Sequence, residues 1–407
     1  MEGECSPAVQ RKVVSASTRA ASYTEASEAL EELAELAISA KQCERITQRI
    51  GKERLQERAT RCEQFEKLSI PEQKWGKPTD APANSWDGRV AAVLLDGGRA
   101  QMRDERWGTP RIPGETRSWW REPKIACLTT YQSRPSTEDP MPEVPECLLD
   151  PLFVIPRVME MKRARGGLSG NQQPEASAAE LEPPPSDSRR WSPEPLVRSV
   201  VGTLGSYDEL GRLAEVEAWH RGFATAPRRA FLGDGLLANW SVHRKRFSGY
   251  IAILDLMHGL TYVYTGALES SPDMETCWHR YCRWITWVWQ GKVESLLEEL
   301  GPLVPAATEP ARRESLEDCL GYLTRNVGRM RYPEYRQQGL PITTVLAEST
   351  IKQINRRMKG TEKFWHDGGE PQLQLCCDRI SQTQPLDAFW NRRSARQTGF
   401  RKSRASP

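Results

Sequence analysis

The chain has 407 residues, 38% of them hydrophobic and 27% charged, with a net charge of +3. That length accommodates two or three domains around a substantial core. No run of about 18 apolar residues is present to span a bilayer, and the opening MEGECSPAVQRKVV has no apolar secretory stretch. Ten cysteines without regular spacing fit reduced thiols in a cytoplasmic protein better than a disulfide framework.

In chain order, residues 1–69 form a helical region. Ser22 with Glu25 and Ser39 with Gln42 are capping-box pairs. Ala26, Ala29, Leu30 and Leu33 stripe one helix, Ile46 and Ile50 the next, and the break falls at Ala37–Ile38. This is a helical hairpin, either structural or of helix-turn-helix type. Ile70–Asp87 then reads as a spacer. Arg89–Asp96 (RVAAVLLD) has strand length and runs into the turn signal Asp-Gly-Gly. Arg99–Arg103 and Lys124–Tyr131 are further strand candidates, giving a three-stranded antiparallel meander.

Gly166–Pro195 is rich in Gly, Pro, Ser and Glu and reads as a disordered linker, within a loop-rich region near 132–195. Asp208–Gly222 is helical. Arg229–Gly235 and Tyr250–Leu254 are strands, the first ending in Asp234 between glycines. From about Gly259 the pattern is helical to Asn326 and rich in tryptophan. There Trp278, Cys282, Ile285 and Trp289 form a core stripe, and CWHRYC reads as core rather than as a zinc site. The order β-β-β-α-β-α-β, a helical block and then a carboxylate-bearing helix is the layout of an α/β, RNase H-like mixed sheet with an all-α insertion. The expected divisions are 86–258 for the first part of the core, 259–330 for the insertion, 331–393 for the rest of the core and 394–407 for a basic tail.

Asp96 and Asp234 sit at the C-terminal ends of predicted strands, where ligand crevices of α/β sheets lie. Glu348 heads an amphipathic helix that turns basic, with Lys352, Asn355 and Arg356 on the same face. Three converging carboxylates suit Mg²⁺, and two ions suit in-line displacement at a phosphodiester. Asp255, three residues before His258, is open to three readings: a ligand, a helix N-cap, or a partner orienting His258. From Ser349 to Pro407 there are 12 Lys/Arg against 5 Asp/Glu, a balance compatible with a nucleic-acid partner.

Several blocks resemble bacterial insertion-sequence transposases of the ISKra type, a DDE branch. They are SYTEASEALEELAELAISAKQCERITQRIG from Ser22, VLLDGGRAQMR from Val93, WREPKIACLTT from Trp120, EAWHRGFATAPRRAFLGDG from Glu217, ILDLMHGLTYVYTGA from Ile253, RMRYPEYRQQGLPI from Arg329, AESTIKQINRRMKGTEKFW from Ala347 and PLDAFWNRR from Pro385. The resemblance covers Ser22 to Arg393 outside the linker. It implies a mobile-element enzyme of DNA transposition and recombination, with Asp96, Asp234 and Glu348 as catalytic, metal-holding carboxylates. Asp255 and His258 become the family's Asp-x-x-His signature. The cofactor implied is two Mg²⁺ ions, with Mn²⁺ as a substitute. The partners implied are double-stranded DNA (transposon ends and target) and further copies of the chain, at the nucleoid.

Lys352, Arg356, Arg357, Lys359 and Lys363 are the candidate phosphate contacts. The chain departs from the family in three places: no Cys-pair region precedes the hairpin, Thr343–Ala347 differs before the glutamate, and Cys376-Cys377 replaces a usual Arg-Ala pair. The alternative reading is a truncated or co-opted transposase that binds DNA without cutting it.

Overall fold

The computed structural model describes residues 5–76, 78, 86–103, 119–164, 192–360, 363–366 and 368–402. It opens with α1 (Pro7–Arg19), α2 (Tyr23–Ala34) and α3 (Ala40–Glu66). The caps act as the sequence suggests. Ser22 Oγ accepts the Glu25 amide at 3.0 Å, and Ser39 and Gln42 cap α3 reciprocally. α2 stops at Glu35, a left-handed residue with φ of 53°, which sets the break where it was expected. The sequence reading missed α1, although Ser6 as N-cap and Pro7 at the first helical position are ordinary start signals. A short α4 (Ile70–Trp75) lies in the presumed spacer.

The next elements are β1 (Arg89–Gly97), β2 (Ala100–Met102), β3 (Trp120–Arg121), β4 (Lys124–Gln132), α5 (Pro151–Ala164), β5 (Glu194–Thr203), α6 (Tyr207–His220), β6 (Arg229–Gly233), α7 (Leu237–Arg246) and β7 (Ile251–Leu254). Helices α8 (Leu256–Glu269), α9 (Met274–Trp289), α10 (Val293–Ala306) and α11 (Pro310–Asn326) form the helical block. α12 (Tyr332–Gln337), α13 (Val345–Met358), β8 (Phe364–Trp365), α14 (Gly369–Ile380) and α15 (Pro385–Lys402) complete the chain.

The protein is mixed α/β. Its main sheet has the order β5-β4-β1-β6-β7, antiparallel on the β4 and β5 side and parallel on the β6 and β7 side. β1 is the central strand, and Val90 to Leu95 are all buried, as an apolar run covered on both faces should be. Alternation along β5 shows how it is covered. The Arg198 side chain reaches Thr350 on α13 at 2.8 Å, whereas its neighbour Ser199 receives Arg221, just past α6. Adjacent residues point to opposite faces, so α13 and α6 sandwich the sheet.

Two expectations about the meander need correction. β2 is not part of it: it pairs with β3 and β8 in a separate three-stranded sheet. The third antiparallel strand is β5, which the sequence reading passed over because EPLVRSVVGT directly follows the long polar tract. Most of the presumed linker, 165–191, lies outside the described residues, while α5 occupies part of the region read as loop. Half of the expected α9 core stripe holds: Ile285 and Trp289 are buried, as are Cys277, Tyr281, Trp284 and Val288, whereas Trp278 and Cys282 are only partly so and His279 is exposed. No helix among the described residues is long and apolar enough to cross a membrane.

Candidate active site

The strand register lines up three aspartates. Leu94 is level with Leu232 on β6, and Leu232 is level with Ile253 on β7, all in parallel alignment. Two residues further along each strand come Asp96, Asp234 and Asp255, so three aspartates form a row at the C-terminal edge. Such an edge is where an open α/β sheet presents a crevice.

Glu348 joins from above, in the first turn of α13, which packs on β1 and β4. The glycines after Asp96 let the helix approach. A Cβ at Gly98 would meet Asn355 Oδ1 at 2.7 Å and Ile351 Cγ1 at 2.9 Å, so any side chain there would push α13 away. Asp-Gly-Gly therefore marks a helix-to-strand approach as well as a turn.

The electrostatics are those of crowded anions. Burial first, and then the Glu348 charge, push the Asp96 carboxyl up to about 7; Asp234 adds to this, while the Gly97 amide and His258 oppose it. Glu348 is also shifted upward, by burial and then by Asp255, with His258, Arg157 and Lys352 pulling the other way. Glu348 Oε1 is buried and has no hydrogen-bond partner among the described residues. A buried acceptor left this way costs about 1–3 kcal/mol. Asp234 is held differently: its Oδ1 accepts the Leu236 amide at 3.0 Å and Asn239 Nδ2 at 2.8 Å. Its backbone carbonyl accepts the Tyr322 hydroxyl at 2.7 Å.

For Asp255 the structure shows the cap and the His258 partnership together, and it also places the carboxylate in a group of possible metal ligands. The carboxyl is fully buried. Its Oδ2 accepts the His258 amide at 2.8 Å, as the N-cap of α8, and also His258 Nδ1 at 2.7 Å. Its Oδ1 accepts the Thr344 amide at 2.6 Å, at the start of the Glu348 helix. Burial alone would raise its pKa, but His258 and these amides together hold it below the ordinary range. Ligand atoms of Asp255, His258 and Glu348 lie within 4.8 Å of one another. No such group among the described residues includes Asp96 or Asp234, so the structure does not bring the three expected carboxylates within that distance of one another, although Asp96 feels the charges of both Glu348 and Asp234. Mutual repulsion and the unmet Glu348 oxygen fit a hard divalent cation.

The five basic candidates do not behave as a set. Lys352, Arg356 and Lys359 are exposed, and Lys352 pairs with Glu160 of α5 at 2.7 Å. Lys363 is half-buried and donates to the Arg356 carbonyl at 2.8 Å. Arg357 departs from the expectation. It is only 4% exposed and donates to the carbonyls of Ser17 at 2.9 Å and Ala21 at 3.2 Å. Its guanidinium lies over the Tyr23 and Trp365 rings. A cation sealed between aromatic rings and carbonyls cannot reach a DNA phosphate. Adjacent arginines on a helix point about 100° apart, so Arg356 and Arg357 face different surroundings by their spacing alone. The reading also missed Tyr322 and Asn239, the side chains that hold Asp234; neither belongs to a recognisable motif.

No protein-family model matches the chain, and neither does any curated protein.

Proposed function

We propose that the protein is a DDE-type DNA transposase with an RNase H-like core, which cleaves transposon ends and transfers the freed strand into target DNA. The observation that carries this reading is the row of Asp96 and Asp234 across two parallel strands, with Glu348 lowered onto it and one Glu348 oxygen left unsatisfied. The chain order β1, β4, β5, α6, β6, α7, β7, then a helical block before α13, also supports it. So does the run of sequence blocks resembling ISKra-type enzymes.

In this reading Asp96, Asp234 and Glu348 hold two Mg²⁺ ions, or Mn²⁺ in their place. The ions supply Lewis-acid activation of the attacking hydroxyl and charge stabilisation of the leaving oxygen. The chain's own groups orient the site. Asn239, the Leu236 amide and Tyr322 fix the Asp234 loop, and Asp255 pins the start of the Glu348 helix. Exposed Arg356 and Lys359 attract the phosphate backbone beside it. The assembly would act as a homo-oligomer on DNA.

The test uses labelled duplexes spanning both ends of the genomic segment that carries the gene, incubated with Mg²⁺ and resolved on denaturing gels. Wild-type protein is expected to produce 3′-hydroxyl ends and joined products. Asp96→Asn, Asp234→Asn and Glu348→Gln should abolish both while retaining DNA binding. Cleavage without joining would make the protein a nuclease. Binding without cleavage by wild-type protein would favour the co-opted DNA-binding reading. Undiminished cutting by all three variants would remove the catalytic assignment.

A further inference from the structure

Three large aliphatic residues are exposed within three positions of the proposed metal-holding carboxylates. Leu236 and Leu237, just after Asp234, are 46% and 69% exposed, and Val345, just before Glu348, is 50% exposed. The other strongly exposed apolar residues, such as Leu33, Ile70, Leu152 and Met274, lie on α2, α4, α5 and α9. Isolated exposed apolar residues need no explanation, but exposed apolar side chains within three residues of two candidate site carboxylates do.

The two leucines are also rigidly mounted. Gly235 has φ of 93° and lies against Tyr322, whose ring would stand 2.5 Å from any Cβ there. The Leu236 amide is bound to the Asp234 carboxylate, and Asn239 in the first turn of α7 donates to the same oxygen. A stiff loop therefore presents apolar side chains beside an anionic, cation-seeking site, with exposed Arg356 and Lys359 further along α13.

We propose that Leu236 and Leu237 form an apolar wedge that enters a base step of duplex DNA bound at the carboxylates, unstacking it so that the backbone can settle into the crevice. This rests on the reading of the site as one that takes DNA. Apolar wedges between base steps gain by burial and lose by unstacking, so the wedge favours duplex whose stacking is already weakened.

The test is a pair of fluorescent 40-base-pair duplexes of one sequence, one fully paired and one carrying three consecutive mismatches. Binding is measured by anisotropy in Ca²⁺. Wild-type protein should bind the mismatched duplex about ten-fold more tightly. The Leu236→Ser/Leu237→Ser variant should bind both equally, with paired-duplex affinity within about three-fold of wild type. Leu237→Met, which keeps the apolar bulk, should retain the preference and so controls for folding. A wild-type protein that binds DNA without preferring mismatches, or a double-serine variant that keeps the preference, overturns the wedge while leaving the transposase reading intact. Failure of wild-type protein to bind either duplex overturns the DNA reading itself, and the wedge with it.

Discussion

Charge gathers at two places in this fold, and the two are built on opposite terms. Where α3 meets α14, Arg54 is buried and donates to Asp378 at 2.9 Å, with Glu57 against its other side. Arg58 nearby is shared among the Gly202 carbonyl, Gln374 and Glu370. Arginines there line a cavity of about 620 Å³, but each of these two has carboxylate or amide partners. At the edge of the parallel strands, Asp96 and Glu348 repel each other, and one Glu348 oxygen is unmet. Paired charge secures the fold, and charge left crowded and unpaired is what a ligand can use.

The strongest way to break the comparison is at the carboxylates. Asp96→Asn should lower Mg²⁺-dependent cleavage at least about 10³-fold, the scale of losing a principal electrostatic contributor; single-turnover gels measure it. Arg54→Met belongs to the other cluster. It should destabilise the fold by about 3–5 kcal/mol in urea titrations, because it strands the buried Asp378. A repair is expected in the opposite direction at the site. With Asp96 pushed up to about 7 when folded, against an ordinary value of 3.8, the metal-free protein loses stability as pH rises from about 4 through 7. Asp96→Asn should therefore raise Tm above pH 7, by at most about 4 kcal/mol of stability, and make no difference below pH 4. Adding Mg²⁺ should stabilise wild-type protein more than the variant; equal gains would contradict the assignment.

The smallest effects sharpen the division along α13. Lys359→Ala should weaken DNA binding uniformly across sequences and reduce the salt-dependence slope by about 1. Arg357→Met should leave that slope unchanged and appear only as lost stability.

Much of the frame was readable before the structure. Periodicity and turn signals located β1, β4, β6 and β7, and the three proposed carboxylates fell on strand ends or a helix start. What stayed hidden has physical causes. β5 follows a polar tract with no boundary signal. β2 is a three-residue strand whose partner β8 lies over 260 residues away, a pairing that no local pattern encodes. Arg357 looked like its neighbour Arg356 because composition does not record which way a helical side chain turns. The double hold of Asp255 on His258 and Thr344 depends on residues 89 positions apart.

That last hold has a consequence for synthesis. Asp255 ends the sheet, yet the amide accepted by its second oxygen leaves the ribosome only after the whole helical block. Until Thr344 arrives and α13 seats, a nascent chain has its aspartates but no glutamate above them. A polypeptide broken off anywhere in the helical block would carry every strand of the main sheet and its row of aspartates but lack Glu348 and the amide that binds the second Asp255 oxygen, so this edge of the fold is completed last.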